Sequence, residues 1–167
     1  MRRATFTNSA ILRHRLDRLA MCLILILASC SQVPSTSSVA IPPVPAGESR
    51  IWLYRNEGPY ESHQTPYFRL NGQLVGISQP NASLYRDVPP GHYTVSVDSY
   101  GVPYSNQFAN FDIRAGQEIF VKVVSTRERV GGGGDSGFSL RSIFYTWLIP
   151  ADTARAEISS TPLYGSS

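Results

Sequence analysis

Ser136 sits in Gly134-Asp135-Ser136-Gly137, with the small neighbours that an exposed hydrolytic nucleophile needs. Such a serine works only beside an imidazole that takes its proton, a carboxylate that orients the imidazole, and N–H donors for the oxyanion. His63 and Asp98 are the available partners, so a small hydrolase using His63 and Ser136 is one reading. Two features weaken it. Phe138 stands where a second glycine is expected, and beyond residue 30 the chain offers only His63 and His92. Gly131–Gly134 could form an anion-binding nest, but no Gly-Lys-Ser/Thr ending follows to complete a phosphate loop. Glu57, Glu61 and His63 share a loop without metal-ligand spacing, so no metal site is expected. No catalytic residue is assigned, and the chain is read as a non-enzyme.

Cysteine gives a sharper signal. Cys22 lies in an apolar run, Leu19–Leu27, that follows a basic stretch containing Arg2, Arg3, Arg13, Arg15 and Arg18. The run is about half of the ~20 residues a membrane-crossing helix needs. A basic flank, a short apolar core and small closing residues are the anatomy of an export signal. The tetrapeptide Leu27-Ala28-Ser29-Cys30 resembles the lipobox of bacterial lipoproteins. That resemblance implies cleavage between Ser29 and Cys30, a diacylglycerol thioether on Cys30 and an N-acyl group on its amine. No other cofactor is implied. Two or three acyl chains anchor stably where one is marginal. Ser31 follows the cysteine, which in enterobacteria-like sorting implies the outer membrane. The protein is therefore expected in the bacterial cell envelope, lipid-anchored and facing the periplasm.

Charge agrees with export. The chain carries 15 basic and 12 acidic side chains, for a formal charge of +3. Five arginines and one aspartate leave with residues 1–29, so ten basic and eleven acidic groups remain. Nothing in that balance calls for nucleic acid, which needs a clustered positive face.

The remaining elements must position any binding surface. Residues 30–49 begin with the lipidated cysteine and continue as a Ser/Pro-rich stretch without hydrophobic periodicity, which predicts an extended tether. From Arg50 the texture changes to short apolar runs between turn signals. Strands are expected at 50–55, 65–70, 73–78, 82–88, 92–99, 107–113, 117–125 and 142–148. Tyr93, Val95 and Val97 alternate with polar neighbours, and Ile119, Val121 and Val123 oppose Phe120, Lys122 and Val124. Residues 150–158 read as a short helix with Pro150 near its first turn. The expected fold is mainly β: an antiparallel sandwich of seven or eight strands over 50–158, a short C-terminal helix, and a flexible tail at 159–167.

Tight and long connections alternate along this domain. Successive antiparallel strands then place every long loop at one pole and every tight turn at the other. The long-loop pole carries Tyr60, His63, Tyr100, Tyr104, Arg127 and Arg129. Tyrosine offers a flat apolar face and a hydroxyl at low entropic cost, which suits contact with a protein or glycan partner. The tether joins at the tight-turn pole, so the long loops are expected to point away from the membrane. Trp52 and Trp147 are expected in the core.

Four segments in order carry a resemblance: Arg50-Ile-Trp-Leu-Tyr-Arg, Leu70-Asn-Gly-Gln-Leu-Val-Gly, Val88-Pro-Pro-Gly-His-Tyr-Thr-Val-Ser-Val and Ile113-Arg-Ala-Gly-Gln-Glu-Ile-Phe-Val-Lys-Val. Together they resemble a bacterial envelope family known as domain of unknown function 2846, over about residues 50–125 and more weakly at the final helix. The Pro-Pro-Gly hairpin is also similar to PEGA-type surface modules and to carboxypeptidase regulatory-like sandwiches. The resemblance implies a β domain in the envelope and brings no established catalytic residues. The expected function is a membrane-anchored, non-catalytic binding or assembly module.

Overall fold

Asn71 and Gly72 both take positive φ, 49° and 80°. That geometry matches the right-handed twist of the strands on either side and closes them into a two-residue hairpin. Around such turns the chain builds strands β1 (Ser49–Arg55), β2 (Tyr67–Leu70), β3 (Gln73–Ile77), β4 (Ala82–Val88), β5 (Gly91–Val97), β6 (Phe108–Ile113), β7 (Glu118–Val130), β8 (Ser139–Ile149) and β9 (Leu163–Gly165). One helix, α1 (Ala151–Ile158), lies between β8 and β9. The computed structural model describes residues 33–98, 107–130 and 139–165.

The strands form two sheets. One has the order β8-β7-β1-β4-β9 and the other β3-β2-β5-β6. β1 runs antiparallel to β4 and parallel to β7, with Leu53 opposite both Leu84 and Val121. The inner faces meet in a core of Ile51, Leu53, Phe68, Leu84, Val95, Phe111, Val121 and Phe144. Each such side chain taken out of water contributes about 1.5–3 kcal/mol. The expected alternation holds: Val95, Val97, Val121 and Val123 face the core, and Phe120 faces the other way.

The outer face of the five-stranded sheet is also covered. Trp52, Tyr54, Tyr85 and Phe120 pack there against Ala154 and Ile158 of α1 and Ile41 of the preceding segment. All seven residues of β1 are therefore buried. The result is a β-sandwich with a third, partial layer.

Several expectations change. Residues 33–49 do not stand off as a tether. A 3-10 turn at Thr36–Ser38 packs on the domain, where the Thr36 hydroxyl bonds to Ser83 Oγ at 2.7 Å and to the Thr161 carbonyl at 2.8 Å. Ser35 bridges to Pro162, and the Pro42 carbonyl accepts from Arg50 Nη1 at 2.8 Å. Proline removes backbone donors and leaves the carbonyls, which here find donors on the sheet. Residues 159–165, expected as a flexible tail, include β9, which adds a parallel edge to β4. The segment from 36 to 48 thus runs back along the sheet from the level of Thr161 before entering β1. The tether geometry behind an outward-pointing loop pole is therefore absent among the described residues. Trp147 is 54% exposed, on β8, an edge strand of the five-stranded sheet.

Candidate functional site

Arg55 ends β1, and no part of it reaches solvent. Its guanidinium donates to the Gln64 carbonyl at 2.8 Å, to the Ser62 carbonyl, and to Ser125 Oγ at 3.2 Å. Its Nε lies 3.5 Å from Glu61 Oε2, an ionic contact without hydrogen-bond geometry. Burial pulls the Arg55 pKa down, and the Glu61 carboxylate opposes that shift. Glu61 in turn accepts from the backbone N–H and hydroxyl of Ser125. Ser62 N–H donates to Ser125 Oγ at 2.7 Å, and the Ser62 and Ser142 hydroxyls meet at 2.7 Å.

This network clamps the 56–66 loop onto the base of the β7–β8 ribbon. A planar fork with five donors suits the task, because several carbonyls converge on one buried point. Ser78, just after β3, closes the same end: its N–H donates to the Pro66 carbonyl at 2.7 Å. The described long connections after β1 and β3 thus share one pole, as the alternation of turn lengths predicts.

Above the clamp, Tyr60 is 86% exposed, and His63 is also exposed. Arg127 projects to solvent from the ribbon, two residues beyond Ser125. Tyr67 and Ile77 form an exposed cross-strand pair at the same end of the four-stranded sheet. The structure therefore brings together three of the six loop residues expected to bind. Tyr100 and Tyr104 lie outside the described residues, and of Arg129 only the backbone is described, paired with Leu140. Ser29 and Cys30 also lie outside them. Sequence reasoning missed Arg55. A charged residue ending a strand reads as solvated, and its signal was the unbroken apolar run Ile-Trp-Leu-Tyr, which marks a strand covered on both faces.

The hydrolase reading gains no geometry. Ser136 is outside the described residues, and Asp98 is held by a two-pronged pair with Arg69 at 2.7 and 3.0 Å. His92 pairs with Asp112 at 3.0 Å on an exposed surface near the tight turns. Among the described residues, no three His, Cys, Asp or Glu side chains gather to hold a metal. No described helix is long and apolar enough to cross a membrane.

A second polar seam joins α1 to the sheet. Glu157 accepts from Tyr54 at 2.6 Å and from Lys122 at 2.7 Å. Burial, followed by that bond to Glu157, pushes the Tyr54 hydroxyl well above its ordinary pKa. Burial alone would raise both Glu157 and Glu118, but hydrogen bonds from Lys122 and Tyr54, and from Trp52 and Arg155, outweigh it. Both carboxyls are held below their usual range.

Residues 45–135 match the family described as protein of unknown function DUF2846. The match covers 91 of the 167 residues. The chain belongs to this family. The DUF2846 span takes in β1 to β7, Arg55 and the exposed 56–66 loop; β8 with Ser142, α1 and β9 fall outside it. No curated protein and no solved structure matches the chain.

Proposed function

We propose that this DUF2846 chain is a lipid-anchored, non-catalytic binding module of the bacterial cell envelope. In this reading it contacts a protein or glycan partner through its long-loop pole. The observation that carries the proposal is the buried Arg55 clamp. It spends a desolvated cation to fix a surface loop whose tip, Tyr60, is exposed to solvent. Rigid scaffolds that present exposed loops are where recognition concentrates, and an exposed tyrosine offers both apolar area and a hydroxyl. Cys30 supplies the anchor, with diacylglycerol and N-acyl chains holding the protein at the outer membrane on the periplasmic side.

Site-specific photocrosslinking in cells tests the pole. A photoreactive residue at position 60 should yield a discrete adduct with a protein or with cell-wall material, and one at position 73, beside the tight Asn71-Gly72 turn, should not. Equal yields from positions 60 and 73, or a stronger adduct from position 147 on the β8 edge, would overturn the assignment.

A further inference from the structure

The segment from Thr36 to Val44, the outer face of the five-stranded sheet and α1 enclose a cleft of about 460 Å³. That volume is within the range of small-molecule sites, about 300–1,000 Å³. One wall is Pro42, Pro43 and Val44. The floor is Trp52 and Phe120, whose rings stack 3° from parallel with centroids 6.1 Å apart. Ile158 and Arg155 form the opposite wall. This site is separate from the long-loop pole and lies largely on elements outside the family match.

The polar groups in the cleft decide what it can hold. Arg50 is committed to Asp87 by bonds of 2.6 and 2.8 Å and to the Pro42 carbonyl. Both oxygens of Glu118 are engaged, one by Trp52 Nε1 at 3.0 Å and the other by Arg155 Nη2. The Thr36 hydroxyl bonds to Ser83 and Thr161, and the Ser159 hydroxyl to the Ala156 carbonyl. A sugar or peptide backbone entering the slot would lose its hydration and find few free partners, a costly exchange. A hydrocarbon chain makes no such demand. At the rim the balance is different. Arg155 uses one of its five donors on Glu118, rests over the Phe120 ring at 5.4 Å, and is 58% exposed. Its unused donors suit a carboxylate, whereas each Glu118 oxygen already accepts one bond and its charge is offset by Arg155.

We propose that this cleft binds a single-chain anionic amphiphile, with the hydrocarbon tail between Val44 and the Trp52–Phe120 floor and the carboxylate at Arg155. A long-chain fatty acid carrying a diazirine near the end of its tail is the probe. It is added, below its micelle concentration, to whichever fraction holds the full chain, irradiated, and located by peptide mass mapping. Adducts should concentrate on residues 41–44, 52, 120 and 158, and saturate with added unlabelled fatty acid. R155Q should weaken labelling about tenfold, and V44W, which fills the slot, should abolish it. R155Q also removes the ion pair to Glu118, so thermal unfolding of the variant, measured beside the labelling, separates loss of binding from loss of folding. The matching fatty alcohol should label about tenfold less than the acid. Labelling spread over the exposed Trp147 and Leu148 edge, unchanged labelling in both variants, or equal labelling by acid and alcohol would overturn the proposal. None of these outcomes depends on what the long-loop pole contacts.

Discussion

Replacing Arg55 with methionine keeps an unbranched apolar stem and deletes the fork. The carbonyls of Ser62 and Gln64 lose their donor, Ser125 Oγ loses one, and Glu61 loses its ionic contact. Hydrogen bonds from a charged donor contribute about 1.5–3 kcal/mol each, and breaking a buried ion pair from one side costs about 3–5 kcal/mol. These terms overlap, so R55M should lose about 3–5 kcal/mol. That is a large share of the roughly 5–15 kcal/mol that holds a domain folded. Apolar replacement of a buried pair can be neutral when both partners are removed. Here the partners include backbone carbonyls, which no side-chain substitution deletes. With a urea m-value of about 2 kcal/mol/M, the midpoint should fall by about 2 M. R55K keeps the charge without the fork and should lie between. The assay is equilibrium urea unfolding followed by circular dichroism. A loss below about 1 kcal/mol with an unchanged m-value would refute the clamp.

Other consequences can be measured separately. Glu118 and Glu157 have folded pKa values below their ordinary 4.5, so the stability they add is present above that value and lost as pH falls through the lower folded ones. Unfolding free energy should be flat from neutral pH to about 5 and decline below, with a shallower decline in E118Q/E157Q; an unaltered acid limb would count against the seam between α1 and the sheet. T36V should cost about 1–3 kcal/mol, because buried partners at Ser83 and Thr161 lose their bond; a neutral result in thermal unfolding would restore the free tether. W147F should change stability by less than about 0.5 kcal/mol, leaving the blue-shifted emission of buried Trp52; red emission from that variant would contradict the covered outer face.

Much of the fold was legible because β-sheets write themselves locally. Val95 and Val97, and Val121 and Val123, alternate with outward neighbours, and Asn71-Gly72 is a pairing that takes two positive φ angles easily. Pattern fails where partners are distant. β9 is three residues long and pairs in parallel with Ser83 and Leu84, so no turn or period announces it. The segment before β1 carries no hydrophobic period because its order comes from carbonyls such as Pro34 and Pro42 meeting donors 129 and 8 residues away. Trp147 has the composition of a core residue, and only the strand order, with β8 last, exposes it. The candidate site divides the same way. Tyr60, His63 and Arg127 follow from loop lengths, whereas the Arg55 clamp depends on Ser125 and Ser142, 70 and 87 residues further along the chain.

The anchor proposed at Cys30 would decide where every one of these surfaces operates. Intact mass of the protein extracted from cell membranes, with C30S measured beside it, tests this most directly. The account predicts a wild-type fragment that begins at Cys30 and carries the added mass of a diacylglycerol and an N-acyl chain, and a C30S protein that lacks that mass. An unmodified wild-type fragment, or a wild-type chain that keeps residues 1–29, would contradict it.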